Sequence, residues 1–234
     1  MFNINPNHKR FEKPDLSAYP ECHFDWAKEF NVRDDDYEGE IVDAVVVYAE
    51  SQMVTTKKGV REDLTLILID QNKQRFKAKY YGELHKEDGS VSDLSDRTYD
   101  FIKMATRQKQ RNINEDTVTY KSFDVDKTIY PVLCGVRTRA VVATTGTFQG
   151  FAIQSVELYN PDGRSEVELE QGLNVAQDIM NTLRDFKARY TKFKSENSGP
   201  QPVQSGGYGS YGTAEIRPTA SVRAEINPDD EIPF

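Results

Sequence analysis

The sequence predicts a mainly β domain followed by one long helix. Three observations carry this expectation. β-Branched and aromatic residues crowd residues 37–160 and are cut by turn signals. A period of two runs through residues 74–82, and a period near 3.6 takes its place at 95–108 and at 167–193.

In chain order, Tyr37 to Glu50 reads as a long strand. It sets Val42, Ala44, Val46 and Tyr48 on one side and Ile41, Val45 and Val47 on the other, so both faces should be covered. Ser51 to Asp63, with Lys57-Lys58-Gly59 inside it, reads as a loop, and Leu64 to Asp70 as a second strand. Gln71-Asn72-Lys73 turns the chain into a third strand, Gln74 to Gly82. Ser95 to Gln108 carries Tyr99, Ile102, Met104 and Ala105 at near-helical spacing behind a Ser95-Asp96 cap. Pro131 to Thr144 and Thr147 to Tyr159 then read as a hairpin turning at Thr145-Gly146. Three strands, a helix and a closing hairpin is the order of an OB-fold. That is a five-stranded Greek-key barrel which holds oligonucleotides across strands 2 and 3 and the loops joining strands 1 to 2 and 4 to 5.

Around this domain, 37–160, lie three further zones. Residues 1–36 mix Pro6, Pro14 and Pro20 with Phe11, Tyr19, Phe24, Trp26 and Phe30, an arm expected to lie on the domain's apolar surface. Within 161–193, the stripe Leu169, Leu173, Val175, Ala176, Ile179, Met180, Leu183, Phe186 and Tyr190 predicts an amphipathic helix. It either docks in cis, the simpler outcome, or pairs with a second copy of the chain. Residues 194–234 are rich in Gly and Ser and poor in aliphatic clusters, so they read as a disordered linker ending in an acidic tip.

Composition bounds the function. The hydrophobic share of 37% supports a core, and no run reaches the roughly 18 apolar residues of a membrane helix. The first residues lack the basic-then-apolar order of a signal peptide, so the expected compartment is the cytoplasm, with no membrane partner. Cys22 and Cys134 sit far apart in unlike contexts and are expected to be unpaired thiols. No second Cys/His pair follows Cys22-His23 at ligand spacing, so no metal and no cofactor is expected. The net charge of −8 is concentrated at the two ends, whereas residues 37–160 hold 17 basic and 18 acidic side chains. Local fields decide binding, so the acidic total does not exclude an anionic ligand.

The third strand carries the sharpest local pattern. Arg75, Lys77, Lys79 and Tyr81 share one face, and Phe76, Ala78 and Tyr80 share the other. Lys57, Lys58, Arg61 and Lys73 belong to the adjoining loop and turn, Arg137 and Arg139 share a face of the fourth strand, and Phe148 and Phe151 follow in the hairpin. Cations that track a phosphate backbone, interleaved with rings that stack on bases, are what sequence-tolerant binding of single strands requires. The same alternation also suits a merely solvated sheet face.

The last six residues, Asp229-Asp230-Glu231-Ile232-Pro233-Phe234, add a second signal. Here the chain resembles bacterial and phage single-stranded DNA-binding proteins, which end in several Asp residues followed by Ile-Pro-Phe. Glu231 stands where that family usually has Asp, and the arm and the long helix are departures from it. The resemblance implies a protein that protects single-stranded DNA during replication, recombination and repair. It also implies that the tip recruits other proteins of those processes. An apolar pocket rimmed by Arg or Lys would suit Phe234, its terminal carboxylate and the acids before it. A recombination annealing or loading protein would carry the same tip. In another class, a metal-dependent nuclease would need carboxylates such as Glu38, Glu40 and Asp43. Those do not share one strand face, and no nucleophile, base or phosphate loop accompanies them, so an enzyme is not expected.

Overall fold

Alternating Val42, Ala44 and Val46 bury one face of the longest strand, β1, Glu38–Thr56. The computed structural model describes residues 14–22, 35–122, 125–148, 151–162 and 176–197. β1 is followed by β2, Gly59–Asp70, and β3, Arg75–Tyr81, then by helix α1, Asp96–Lys109. Next come a hairpin of β4, Val118–Ser122, and β5, Val125–Ile129, and a 3-10 turn at Pro131–Leu133. Strands β6, Arg137–Phe148, and β7, Phe151–Tyr159, precede helix α2, Ala176–Asn197.

The protein is mainly β, as its sequence predicts, with the seven strands in one open antiparallel sheet. β1 is long enough to serve three partners. It pairs with β2 over most of its length, with β6 through Glu38–Val45, and with β5 through Glu50–Gln52. One path of the sheet is β3-β2-β1-β5-β4, and the other leaves β1 through β6 to β7. β3 and β7 meet through side chains: the Lys77 N–H donates to Gln154 Oε1 at 2.9 Å, and Gln154 Nε2 donates to the Asp35 carbonyl at 2.8 Å.

The main core lies between the inner face of the sheet and helix α1. Tyr37, Leu66, Leu68, Phe76, Tyr80, Leu133 and Val142 are essentially inaccessible, each contributing about 1.5–3 kcal/mol of apolar burial. Helix α1 closes one opening with Phe101, Met104 and Ala105, and Phe101 stacks on Tyr80 with centroids 4.8 Å apart. Ser95 caps the helix by accepting the Thr98 N–H. Gln110 ends it in the left-handed region.

Several sequence expectations are corrected. Ser51 to Asp63 is not a loop: β1 and β2 run on through it, and only Lys57-Lys58 turns the chain. Polar Ser51, Gln52, Thr55 and Thr56 break the apolar alternation that marks a half-buried strand, and the β2 side of this stretch packs on the His85 segment through the Val60–His85 bridge. Thr145-Gly146 is not the hairpin turn but a register shift inside the β6–β7 ladder, which continues to the Phe148–Phe151 pair; residues 149–150 lie outside the described part. The stretch from Pro131 begins with a 3-10 turn, because Pro131 lacks a ladder donor, and β6 starts at Arg137. A bulge between Val46 and Tyr48 sends Tyr48 to the outer face and turns Ala49 into the core, reversing the assignment of Tyr48.

The two cysteines are a further correction. Cys22 and Cys134 form a disulfide with Cα atoms 5.3 Å apart, across a sequence separation of 112 that hides the pairing from any spacing argument. The bridge ties residues 14–22 to the turn before β6, where Glu21 also pairs with Lys109. Iodoacetamide is expected to modify neither cysteine until a reductant is added; two labelled thiols in the unreduced native protein would contradict the bridge.

Helix α2 docks on the outer side of β6. Ile179 and Phe186 are buried there against Val141, Ala143 and Tyr159, with Leu183 and Tyr190 packed alongside. The helix continues to Asn197, four residues into the stretch read as linker, while residues 163–175 and 198–234 lie outside the described part. Gly39 makes this docking possible: its φ is +96°, and a Cβ there would lie 2.6 Å from Lys187 Cγ and 3.1 Å from the Lys187 backbone. Gly39→Ala should therefore destabilise the protein by about 1–3 kcal/mol, read as a lower urea midpoint.

Candidate nucleic-acid interface

The outer face of β3 is cationic because the pleat sends alternate residues outward. Phe76, Ala78 and Tyr80 are buried, so Arg75, Lys77, Lys79 and Tyr81 lie on the opposite side. Antiparallel register extends this face over four strands. Arg75 pairs with Ile69, Ile69 with Val45, and Val45 with Arg137, so one row across the sheet has an arginine at each end and two aliphatic residues between. Three strand spacings put the two arginine backbones about 14 Å apart. In the next rows Lys77 faces Ile67, and Lys79 faces Thr65.

Beside Arg137, Arg139 faces Asp43 and its Nε donates to Asp43 Oδ1 at 2.8 Å. Exposed pairs of this kind hold a side chain in place and stabilise little, about 0–1 kcal/mol. At the far end of β3, the Arg61 guanidinium lies 4.1 Å from the Tyr81 ring centroid and is oriented by Asp63 at 2.8 Å. One face of Tyr81 is therefore occupied by a planar cation.

The sequence groups the basic residues more tightly than the fold does. Lys57 and Lys58 turn the hairpin before β2, and Lys73 lies in the turn after it, so the 12 residues of β2 separate them by roughly 35–40 Å. Lys73 adopts φ 65°, and its turn is built on Asp70, whose Oδ1 accepts the N–H groups of Asn72 and Gln74. The row of Arg75, Lys77, Lys79 and Arg137, with Arg139 next to it, is what the fold brings together. Phe148 is 55% exposed at the open end of β6, at the opposite end of β1 from Lys57 and Lys58. The Phe151 side chain and the whole tip, Asp229 to Phe234, lie outside the described residues.

Of the elements that frame this face, sequence reasoning foresaw a docked helix and an arm lying on the domain, but missed the outer cluster that the arm covers. On one side, Tyr48, Ile67, Tyr120 and Ile129 form an outer cluster beneath Leu16 of the segment tied down by the disulfide. Glu50 organises that cluster, accepting from the Tyr48 hydroxyl at 2.8 Å and from Tyr120, and pairing with Lys127. Burial and the Glu50 charge push both tyrosine hydroxyls well above their usual range, which keeps them neutral donors. On the other side stands α2. The alternation of Tyr120 with exposed Thr119 and Lys121 was the available signal for β4, but the strand has only five residues.

A cavity of about 350 Å³ lies away from this face, among Met53, Glu62, His85, Thr98 and Ile102. Its Tyr130 hydroxyl donates to Glu62 at 2.6 Å and is pushed up to about 12, by burial first and that carboxylate second. Among the described residues, no three His, Cys, Asp or Glu side chains converge as metal ligands, and no helix is long and apolar enough to cross a membrane. In comparisons with known proteins, the chain matches no family model, no curated protein and no solved structure.

Proposed function

We propose that this protein binds single-stranded DNA without strong sequence preference and that its acidic tip recruits proteins of replication, recombination and repair. The carrying observation is the row Arg75–Ile69–Val45–Arg137 with Lys77 and Lys79 beside it, which offers cations at the margins and an apolar floor between them. Phosphates meet the cations and unstacked bases meet the floor, a combination that suits a splayed single strand and offers a stacked duplex little. Ring and guanidinium planes at Tyr81 and Arg61 give a base at the end of β3 a surface to stack on.

The strand order supports reading the domain as an OB-type barrel. β1, β2 and β3 form a meander, α1 follows β3, and β6 and β7 return to β1 and approach β3, so these five strands match the Greek-key order, with β4–β5 as an insertion. The tip, Asp229 to Phe234, supports the recruiting role through its charge and terminal ring. A DNA-protecting role places the protein in the cytoplasm of a bacterial cell; the disulfide withdraws the support that two free thiols would have lent to that compartment.

Titrating the protein into a fluorescent unstructured oligonucleotide at several salt concentrations tests this function. Tight binding that weakens steeply with salt and varies little with base composition is the expected result. Equal affinity for a duplex of the same length would overturn it.

A further inference from the structure

Helix α2 segregates its charges. Arg184, Lys187, Thr191 and Lys194 follow one another at spacings of three, four and three residues and so share one flank, with no acidic residue among them. The acids of the helix, Asp178, Asp185 and Glu196, fall on the other flank, together with Arg189 and Lys192.

Neighbouring side chains fix which way each flank points. Thr182, on the mixed flank, lies 3.2 Å from the Tyr159 hydroxyl of β7. On the cationic flank, Lys187 lies against Gly39 and Lys194 pairs with Asp36 at 2.7 Å, both at the start of β1. β1 stands between β6 and β2, so the cationic flank looks across the sheet toward β2 and β3 and away from β7. The backbone continues that link: Asp35, next to Asp36, accepts the Arg75 N–H through Oδ2 at 2.7 Å. Of the acids near this corner, Asp36 is engaged by Lys194, Asp43 by Arg139, and Glu38 by the Tyr190 hydroxyl at 3.4 Å, while Glu40, beside Gly39, is half-buried. Arg184 and Lys187 are exposed and have no acidic partner among the described residues.

We infer that the Arg184–Lys187 flank of α2 is a second phosphate-binding site, which takes up the strand as it leaves the sheet at Arg75 and the β2–β3 turn. This rests on the single-strand function proposed above and lengthens its footprint: the sheet face alone holds a short oligonucleotide, and a longer one also reaches the helix. The site reads charge and spacing only, so it adds affinity and salt dependence without base preference.

The test compares the full chain with two variants of equal charge loss, Arg184→Gln/Lys187→Gln on the cationic flank and Arg189→Gln/Lys192→Gln on the other. Each is titrated with short and long oligothymidylates over a salt series, after circular dichroism has shown unchanged helix content. The cationic-flank variant should bind the long strand with a salt slope shallower by about 1.4, two phosphate interactions at roughly 0.7 each for single strands, and should bind the short strand like the parent. The other variant should match the parent on both. If both variants keep the parent's slope on the long strand, or both reduce it equally, the flank makes no specific interaction with the strand. In that case the function proposed above survives, because the parent still binds. If the parent itself fails to bind single strands, the function and this extension fall together.

Discussion

Replacing Arg75, Lys77 and Lys79 together by glutamine is expected to weaken single-strand binding by roughly 100-fold at about 0.1 M salt and to make its salt slope shallower by about 2. The size follows from counterion release: each phosphate that a single strand no longer has neutralised takes about 0.7 off the slope, and hence about fivefold off the affinity at that salt. The fold should tolerate the change. The three side chains lie on the outer face, and the hydrogen bonds that hold β3 to Asp35 and Gln154 come from the Arg75 and Lys77 backbones. A melting temperature within a few degrees of the parent would show that the affinity loss is local. Unchanged affinity in a folded variant would remove β3 from the interface.

Phe76→Ala should have the largest effect on stability. Phe76 is wholly buried, meets Tyr37 edge to face with centroids 5.6 Å apart, and sits between two of the outward cations. Truncation removes the ring's burial and leaves a cavity that strands on both sides resist closing, a loss of about 3–5 kcal/mol. For a chain of this size that lowers the thermal midpoint by roughly 10 °C. A shift under about 2 °C would mean that this part of the core is already loosely packed.

The two variants probe opposite faces of one strand, and that strand was the most legible part of the sequence. A period of two needs only local information, and Arg75 to Tyr81 alternate without a break. What lay beyond β3 was less legible, for three physical reasons. Bulges at Val47 and near Thr145 change the parity of a strand without changing its composition. Strands β4 and β5, with five residues each and several polar side chains, acquire their buried face only by pairing beside β1. Cys22 and Cys134 are separated by a stretch that includes β1 to β5, so their proximity is a property of the tertiary fold that no local pattern carries.

The candidate site divides in the same way. The cations of β3 and β6 were legible one strand at a time, whereas the row joining Arg75 to Arg137 depends on register across β2 and β1. Lys57 and Lys58 are close to Lys73 along the chain but are held far away by the length of β2, a separation that depends on Ser51 to Asp63 being strand. The framing elements, the segment under the disulfide and helix α2, turn a charged face into a bounded track, and both come from outside the central domain.

Photochemical cross-linking of an oligothymidylate to the full-length protein, followed by mapping of the adducts on peptides, tests the central claim most directly. Adducts on the peptides of β3 and of the start of β6, above all at Tyr81, and their loss when unlabelled single strand but not duplex is added, are the predicted result. Adducts confined to α1 or to the cavity around Tyr130, or equal competition by duplex, would contradict it.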